Sequence, residues 1–350
     1  MSSWRQSDQA GQPSPTGQRP PAGAADDNGG MSPTLSPVPR PLSGEQFAIA
    51  AGPYRAAIAS VGASLRRLRL DGRDLVVPYH ADQVRPSYRG AVLAPWPNRV
   101  IDGRYSSPGA GDGSSADAAR QLALTEPERS HALHGLALWL DFAVTARDPA
   151  SVSLSQVIEP QAGYPWRIAL EVAYRLDAVG GLDWRVTARN IGPGTAPYGT
   201  GPHPYLVAGP APLDQWRLTL PAGGFIATEG ARLAPAGRRD VDGGDFDFRA
   251  GRVLGGVQID HAFCDVAWDA DGFAEAVLED PSGSGAAIAW DQACPWVQVH
   301  TADLPKPAPN RLGLAVEPMT CPPDAFNSRQ DLIWLAPGQS HQAVWRLKGW

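Results

Sequence analysis

From Phe47 onward the apolar residues of this chain recur with a period of two, and that period restricts it to strands. Ile168, Leu170, Val172, Tyr174 and Leu176 alternate with other residues. The turn-forming run Asp177-Ala178-Val179-Gly180-Gly181 follows, and alternation resumes at Leu182, Trp184, Val186 and Ala188. In an extended chain successive side chains point to opposite faces, so each run has one apolar face and the two read as a hairpin. Val152 and Leu154 repeat the pattern, as do Trp216, Leu218 and Leu220 and the runs around Val277 and Ile288. Amphipathic helical stretches of useful length are hard to find, and 35 prolines with 38 glycines punctuate the chain. Many short strands with turn signals and few helices specify an all-β sandwich or barrel.

The 350 residues, 43% of them hydrophobic, are enough for one sizeable core. Residues 1–44 are different. They are rich in Pro, Ser, Gly, Gln and Asp and nearly lack branched apolar side chains. Such a segment cannot bury enough surface to offset its ordering entropy, which predicts a disordered tail ahead of a domain spanning 45–350. Met31 within it is read as a candidate start. Ser106 to Ala118 is expected to be a surface loop, and neither segment is expected to carry chemistry.

Composition also excludes function classes. A net charge of −6 gives no basic footprint, so nucleic acid is not an expected partner. Cys264, Cys294 and Cys321 show no C-x-x-C spacing, which points to a reducing compartment and away from a disulfide framework or a thiolate zinc site. There is no N-terminal apolar h-region and no run of about 18 apolar residues, so no membrane span is expected and the location is read as cytoplasmic. The pattern leaves oligomeric state open.

Several polar residues sit inside apolar strings. In Trp296-Val297-Gln298-Val299-His300, alternation puts Trp296, Gln298 and His300 on one face and the valines on the other. In Leu312-Gly313-Leu314-Ala315-Val316-Glu317 the large apolar residues share the core face and Glu317 points away from it. Two polar strand faces suit a sugar: its C–H face stacks on a ring and its hydroxyls take hydrogen bonds. They equally suit plain solvent. His203, in Gly201-Pro202-His203-Pro204-Tyr205, has a backbone stiffened by two prolines, as a proton-transferring or a buried structural imidazole would require. His131 and His134 have a spacing that could suggest a metal, but no matching carboxylate lies nearby in sequence. Arg99, after Asn98 and the run Leu93-Ala94-Pro95-Trp96-Pro97, could cap a strand or grip vicinal hydroxyls. Asp260 alone reads as a turn residue.

Together these strings resemble the aldose 1-epimerase (galactose mutarotase) family. The carriers are Pro97-Asn98-Arg99-Val100-Ile101-Asp102-Gly103-Arg104-Tyr105, Leu133-His134-Gly135, His203-Pro204-Tyr205-Leu206, Asp260-His261-Ala262-Phe263 and Val316-Glu317-Pro318, in the family's order. The resemblance implies a large antiparallel β-sandwich, the galactose mutarotase-like supersandwich, with an open carbohydrate-binding cleft. It implies a monosaccharide as small-molecule partner, no metal and no organic cofactor. It implies Glu317 as general base and His203 as general acid, with Arg99, His134 and Asp260 holding the sugar's ring oxygen and hydroxyls, and Asn98 and Gln298 as further contacts. Two departures stand out. Leu136 occupies the place of a second glycine, and Leu136-Ala137-Leu138-Trp139 lacks the arginine expected for a hexose 6-phosphate.

The implied chemistry fits the residue types. Opening an aldose ring needs a proton taken from the C1 hydroxyl and one delivered to the ring oxygen. A carboxylate of reference pKa about 4.3 is ionised at neutral pH, and an imidazole of about 6.5 is partly protonated. Each positioned group contributes about 10²–10⁴-fold. Two other readings stay open: a sugar-binding sandwich without turnover, and a glycoside-cleaving enzyme using Asp260 and Glu317 as paired carboxylates.

Overall fold

The computed structural model describes residues 40–108, 117–303 and 309–350. The alternating run becomes the hairpin Ile168–Asp177 and Gly181–Asn190, in register from Ile168 opposite Asn190 to Asp177 opposite Gly181. This hairpin forms the third and fourth strands of a nine-stranded antiparallel sheet. On one side lie Ser151–Ile158 and Ala143–Arg147; on the other lie Ser340–Gly349, Gly285–Asp291, Phe273–Glu279, Arg217–Thr219 and Arg252–Val253. The strand around Trp216, Leu218 and Leu220 is shorter than the alternation suggests, since Trp216 and Leu220 flank it, yet all three side chains are buried.

A six-stranded antiparallel sheet runs in the order Tyr205–Leu206, Leu314–Met319, Trp296–His300, Asp260–Val266, Ala222–Glu229, Ala234–Asp240. A four-stranded sheet covers Gln46 to Asp74. One contiguous apolar cluster draws on all three sheets, joining Val172, Trp184 and Trp345 to Phe263, Val299, Val316 and Phe47. The Trp184 ring centroid lies 5.1 Å from Tyr174 and 5.8 Å from Trp345. The sole α-helix among the described residues is the single turn Ala325–Ser328. The protein is an all-β, antiparallel sandwich. No helix among the described residues is long and apolar enough to cross a membrane, and Cys264, Cys294 and Cys321 are buried and free.

Three expectations need correction. Residues 40–44, assigned to the tail, are docked on the domain: Arg40 pairs with Asp141 at 2.6 Å, and the Ser43 amide and hydroxyl both donate to the Ala81 carbonyl. The rest of the tail, Met31 included, lies outside the described residues. A chain starting at Glu45 is therefore expected to melt about 2 °C or more below one starting at Arg40, read by calorimetry. Equal melting would mean that these contacts contribute nothing. The loop expected over Ser106 to Ala118 is also trimmed at both ends. Ser106 and Ser107 pair with Ala119 and Ala118, and residues 109–116 lie outside the described residues. Leu312, placed on a core face, is 47% exposed and precedes the strand that begins at Leu314.

Candidate active site

The six-stranded sheet aligns the two strands that alternation singled out. Gln298 stands directly opposite Glu317, and Ala262, two residues after Asp260, stands opposite Gln298. Directly opposed side chains on one face have Cβ atoms about 4.5–5.5 Å apart. Leu314 and Val316 go to the core, which leaves Glu317 on the other face. His203 arrives by a different route. Gly201 and Pro202 pair with Leu93 and Val92, the His203 amide donates to Ala91 O at 3.0 Å, and its carbonyl accepts from Gly90 at 2.8 Å. Two residues later Tyr205 pairs with Ala315 in the strand that carries Glu317. The result is a contact of 3.4 Å between His203 Nε2 and Glu317 Oε1, both side chains almost fully buried.

The wall opposite comes from the short antiparallel pair Arg99–Ile101 and His131–Leu133. Asn98 and His134 both have left-handed backbones, with φ of 56° and 63°. Such conformations are costly for residues other than glycine and cluster at functional sites. Gly135 follows at φ 81°, where a Cβ would lie 2.2 Å from Ala94 O, so this position requires glycine. Leu136 sits at φ −110°, an ordinary conformation, and the missing second glycine therefore costs nothing here. The Asn98 amide donates to His134 Nδ1 at 3.2 Å. In a neutral ring that places the proton on Nε2, making His134 a donor there. His300 has the opposite arrangement. Its Nδ1 lies 3.1 Å from Ile259 O, so Nδ1 carries a proton and donates.

All seven candidates, Asn98, Arg99, His134, His203, Asp260, Gln298 and Glu317, line one cleft of about 680 Å³. Gln298 Nε2 donates to Asp260 Oδ1 at 2.6 Å, and Asp260 Oδ2 lies 3.9 Å from Arg99 Nη2. Glu317 Oε2, Gln298 Oε1 and His203 Nδ1 are buried without a partner. Buried polar atoms left unpaired are expensive, so two acceptors side by side on the cleft floor mark a place for an incoming hydroxyl.

Burial sets the protonation of the floor. It pushes the Glu317 carboxyl well above its ordinary value, reinforced by the Asp260 charge and only partly opposed by Arg99. It pulls the His203 imidazole down to about 3, with the nearby His300 and Arg85 adding to the effect. His134 is likewise held well below the usual imidazole range by burial, His203 and Arg99. The pair therefore does not consist of a freely ionised carboxylate and a half-protonated imidazole, as reference values suggest. His203 Nε2 and Glu317 Oε1 approach to 3.4 Å, and burial favours the form in which both groups are neutral.

Some of the cleft was unmarked in the sequence or, like Tyr205, His261 and His300, quoted there without a role. Glu126, Tyr88, Tyr205, His261, His300 and Asp303 also line it. The Tyr88 ring lies 4.8 Å from that of His134, and Tyr205 stacks on His203 at 5.1 Å. Trp296, on the same strand face as Gln298, is not a wall of this cleft. It lines a neighbouring depression of about 520 Å³ with Trp268, Pro295 and Pro322, its Nε1 donating to Asp331 at 2.8 Å. His131 does not join His134 around a common point, because its Nε2 meets Arg232 O and its Nδ1 accepts from the Asp102 amide. Among the described residues no group of three or more His, Cys, Asp or Glu could hold a metal ion.

The sequence profile described as aldose 1-epimerase matches residues 45–348. The chain belongs to the aldose 1-epimerase family. Within this family setting it is 35% identical over 308 residues to the uncharacterized protein YihR of Escherichia coli (strain K12), covering 88% of this chain and 94% of that one. Among solved structures it is similar to the GalM/aldose epimerase homologue from C. elegans, with a TM-score of 0.75 at 18% identity over 87% of this chain and 98% of the other. It is also similar to the galactose 1-epimerase from Lactobacillus acidophilus NCFM, with a TM-score of 0.72 at 16% identity over 87% and 94%. At such identities the two structures speak for the fold alone, and the fold is that of the galactose mutarotases.

Proposed function

We propose that this aldose 1-epimerase family member interconverts the α and β anomers of a free aldose such as glucose or galactose. The observation that carries the reading is the His203–Glu317 contact of 3.4 Å on the floor of a cleft lined with hydrogen-bonding groups. With the shared proton on His203, Glu317 is a carboxylate that can accept the C1 hydroxyl proton. As the C1–O5 bond breaks, its electron pair stays on O5, which takes the proton from His203, while C1=O1 forms. The ring-opened state thus coincides with the neutral pair that burial favours. Rotation about C1–C2 and the reverse proton transfers close the ring on the other face.

Arg99, His134, Asp260, Asn98 and Gln298 hold the sugar in this proposal. His134 Nε2–H is a donor for a ring or hydroxyl oxygen, and Asp260 with Gln298 accepts hydroxyl protons. The group facing Glu317 is an imidazole rather than a second carboxylate, which favours anomerisation over glycoside cleavage.

Polarimetry on freshly dissolved α-D-glucose and α-D-galactose tests the reading. The protein is expected to hasten decay of rotation to an unchanged endpoint. A hexose 6-phosphate, followed by NMR exchange between anomers, belongs in the same series. Sugar binding without acceleration of any of them would instead support a binding protein.

A further inference from the structure

Arg99, in the reading above a sugar-binding group, is itself gripped from behind. Its Nε donates to Glu126 Oε2 at 2.7 Å and its Nη2 to Glu126 Oε1 at 3.0 Å. This side-on, two-point contact fixes the plane of the guanidinium as well as its position. Glu126 is 5% exposed and its backbone is tied down too: its amide donates to His131 O at 3.0 Å, and its carbonyl accepts from His131 and Arg129. His131 in turn belongs to the strand paired with Arg99–Ile101. Arg129 Nη1 adds a third hydrogen bond to Glu126 at 2.7 Å. Burial alone would raise the Glu126 carboxyl, but the two arginines overcome this and hold it below the usual range, so the clamp is ionic.

The clamp also determines what Arg99 does not do. Asp260 Oδ2 lies 3.9 Å from Arg99 Nη2, close enough for attraction and too far for a hydrogen bond. Nη1 has no hydrogen bond to protein among the described residues, on a side chain that lines the cleft. Freed from Glu126, the guanidinium would be drawn about 1 Å toward Asp260. It would then compete with the Gln298–Asp260 bond and spend the donors it offers to the cleft. Displacements of this size away from the reacting atoms can cost up to about 10²-fold.

We propose that Glu126 is a positioning residue, a buried anion that stands Arg99 off Asp260 and keeps its Nη1 edge turned to the sugar. This rests on the anomerase reading for its kinetic consequence, but not for its geometry.

The experiment compares wild type, Glu126→Gln, Arg99→Ala and the double variant, measuring KM and kcat for anomerisation. Glu126→Gln is expected to raise KM by about tenfold or more while kcat changes by less than about threefold. In the Arg99→Ala background the same change is expected to alter KM by less than about twofold, since Glu126 then has nothing to position. An unchanged KM in Glu126→Gln, or an undiminished effect in the Arg99→Ala background, would overturn the proposal. Glu126→Asp, which keeps the buried charge but retracts it by one methylene, serves if the amide variant does not fold, and an intermediate KM is expected. A wild-type KM there would count against the proposal. The second readout needs no turnover: ¹H–¹⁵N NMR of the Arg99 Nε–H is expected to show a slowly exchanging signal that Glu126→Gln abolishes. Persistence of that signal overturns the clamp. A wild-type protein inactive on every aldose would sink the anomerase reading while leaving this arm intact.

Discussion

Glu317→Gln is expected to lower kcat for anomer interconversion by about 10²–10⁴-fold while leaving the fold and most of the sugar affinity in place. The amide keeps the shape of the side chain and can still meet His203 Nε2 across the 3.4 Å gap, but it cannot take a proton. Stability should not suffer. Glu317 is buried with one oxygen unpaired, and burial already drives its carboxyl toward the neutral form, which the amide mimics. A melting temperature within about 3 °C of wild type is therefore the expected control. Rates close to wild type would remove Glu317 from the mechanism, and a large drop in melting temperature would recast it as a structural residue.

His203→Gln is expected to cost a similar factor and, in addition, to change how activity depends on pH. In the proposed reaction the pair works while it holds one proton. On the acid side a second proton must enter a buried pair that faces His300 and Arg85, and the His203 value of about 3 gives the direction: the acid limb of kcat/KM should lie well below the ordinary imidazole range near 6.5. On the alkaline side the last proton leaves only at a pH well above the usual carboxylate range, because Glu317 is pushed up. With His203 replaced, Glu317 alone must be ionised to act, and its raised value then makes the residual activity increase with rising pH. A wild-type acid limb centred at 6.5 would show that His203 titrates as a hydrated imidazole. A variant whose profile keeps the wild-type shape would show that the two groups do not share a proton.

Much of this was legible in one dimension. The hairpin Ile168–Asn190 follows from alternation because each strand has a core face whose side chains are large and regular. The same rule placed Gln298 and Glu317 on the cleft side of their strands. It misplaced Trp296, because alternation assigns a face but not a position along it, and the face continues past the cleft into the neighbouring depression. Glu126 and Tyr88 had no signal of their own type, and His300 was marked only as a neighbour of Gln298 on the same strand face. Glu126 precedes a three-residue strand, and Tyr88 ends a three-residue 3₁₀ turn, segments too short for any period to show. Glu126 becomes meaningful only through Arg99, 27 residues away in sequence. Ionisation was legible least of all, since reference values describe hydrated groups, whereas Glu317 and His203 are buried.

The proposed acid and base hang from one ladder. Tyr205, two residues beyond His203, is laced to Ala315, two residues before Glu317, and the Val316 amide donates to Pro204 O at 3.3 Å. The wall that carries Asn98, Arg99 and His134 is built on a separate two-stranded pair, Arg99–Ile101 with His131–Leu133. The proton-transfer distance is thus gauged by backbone pairing, which side-chain exchange on the other wall does not touch. If the proposed reaction holds, substitutions around Asn98 and Arg99 would change which aldose is preferred while leaving the backbone that spaces His203 and Glu317 in place, whereas His134, whose ring lies 5.1 Å from that of His203, would couple the two.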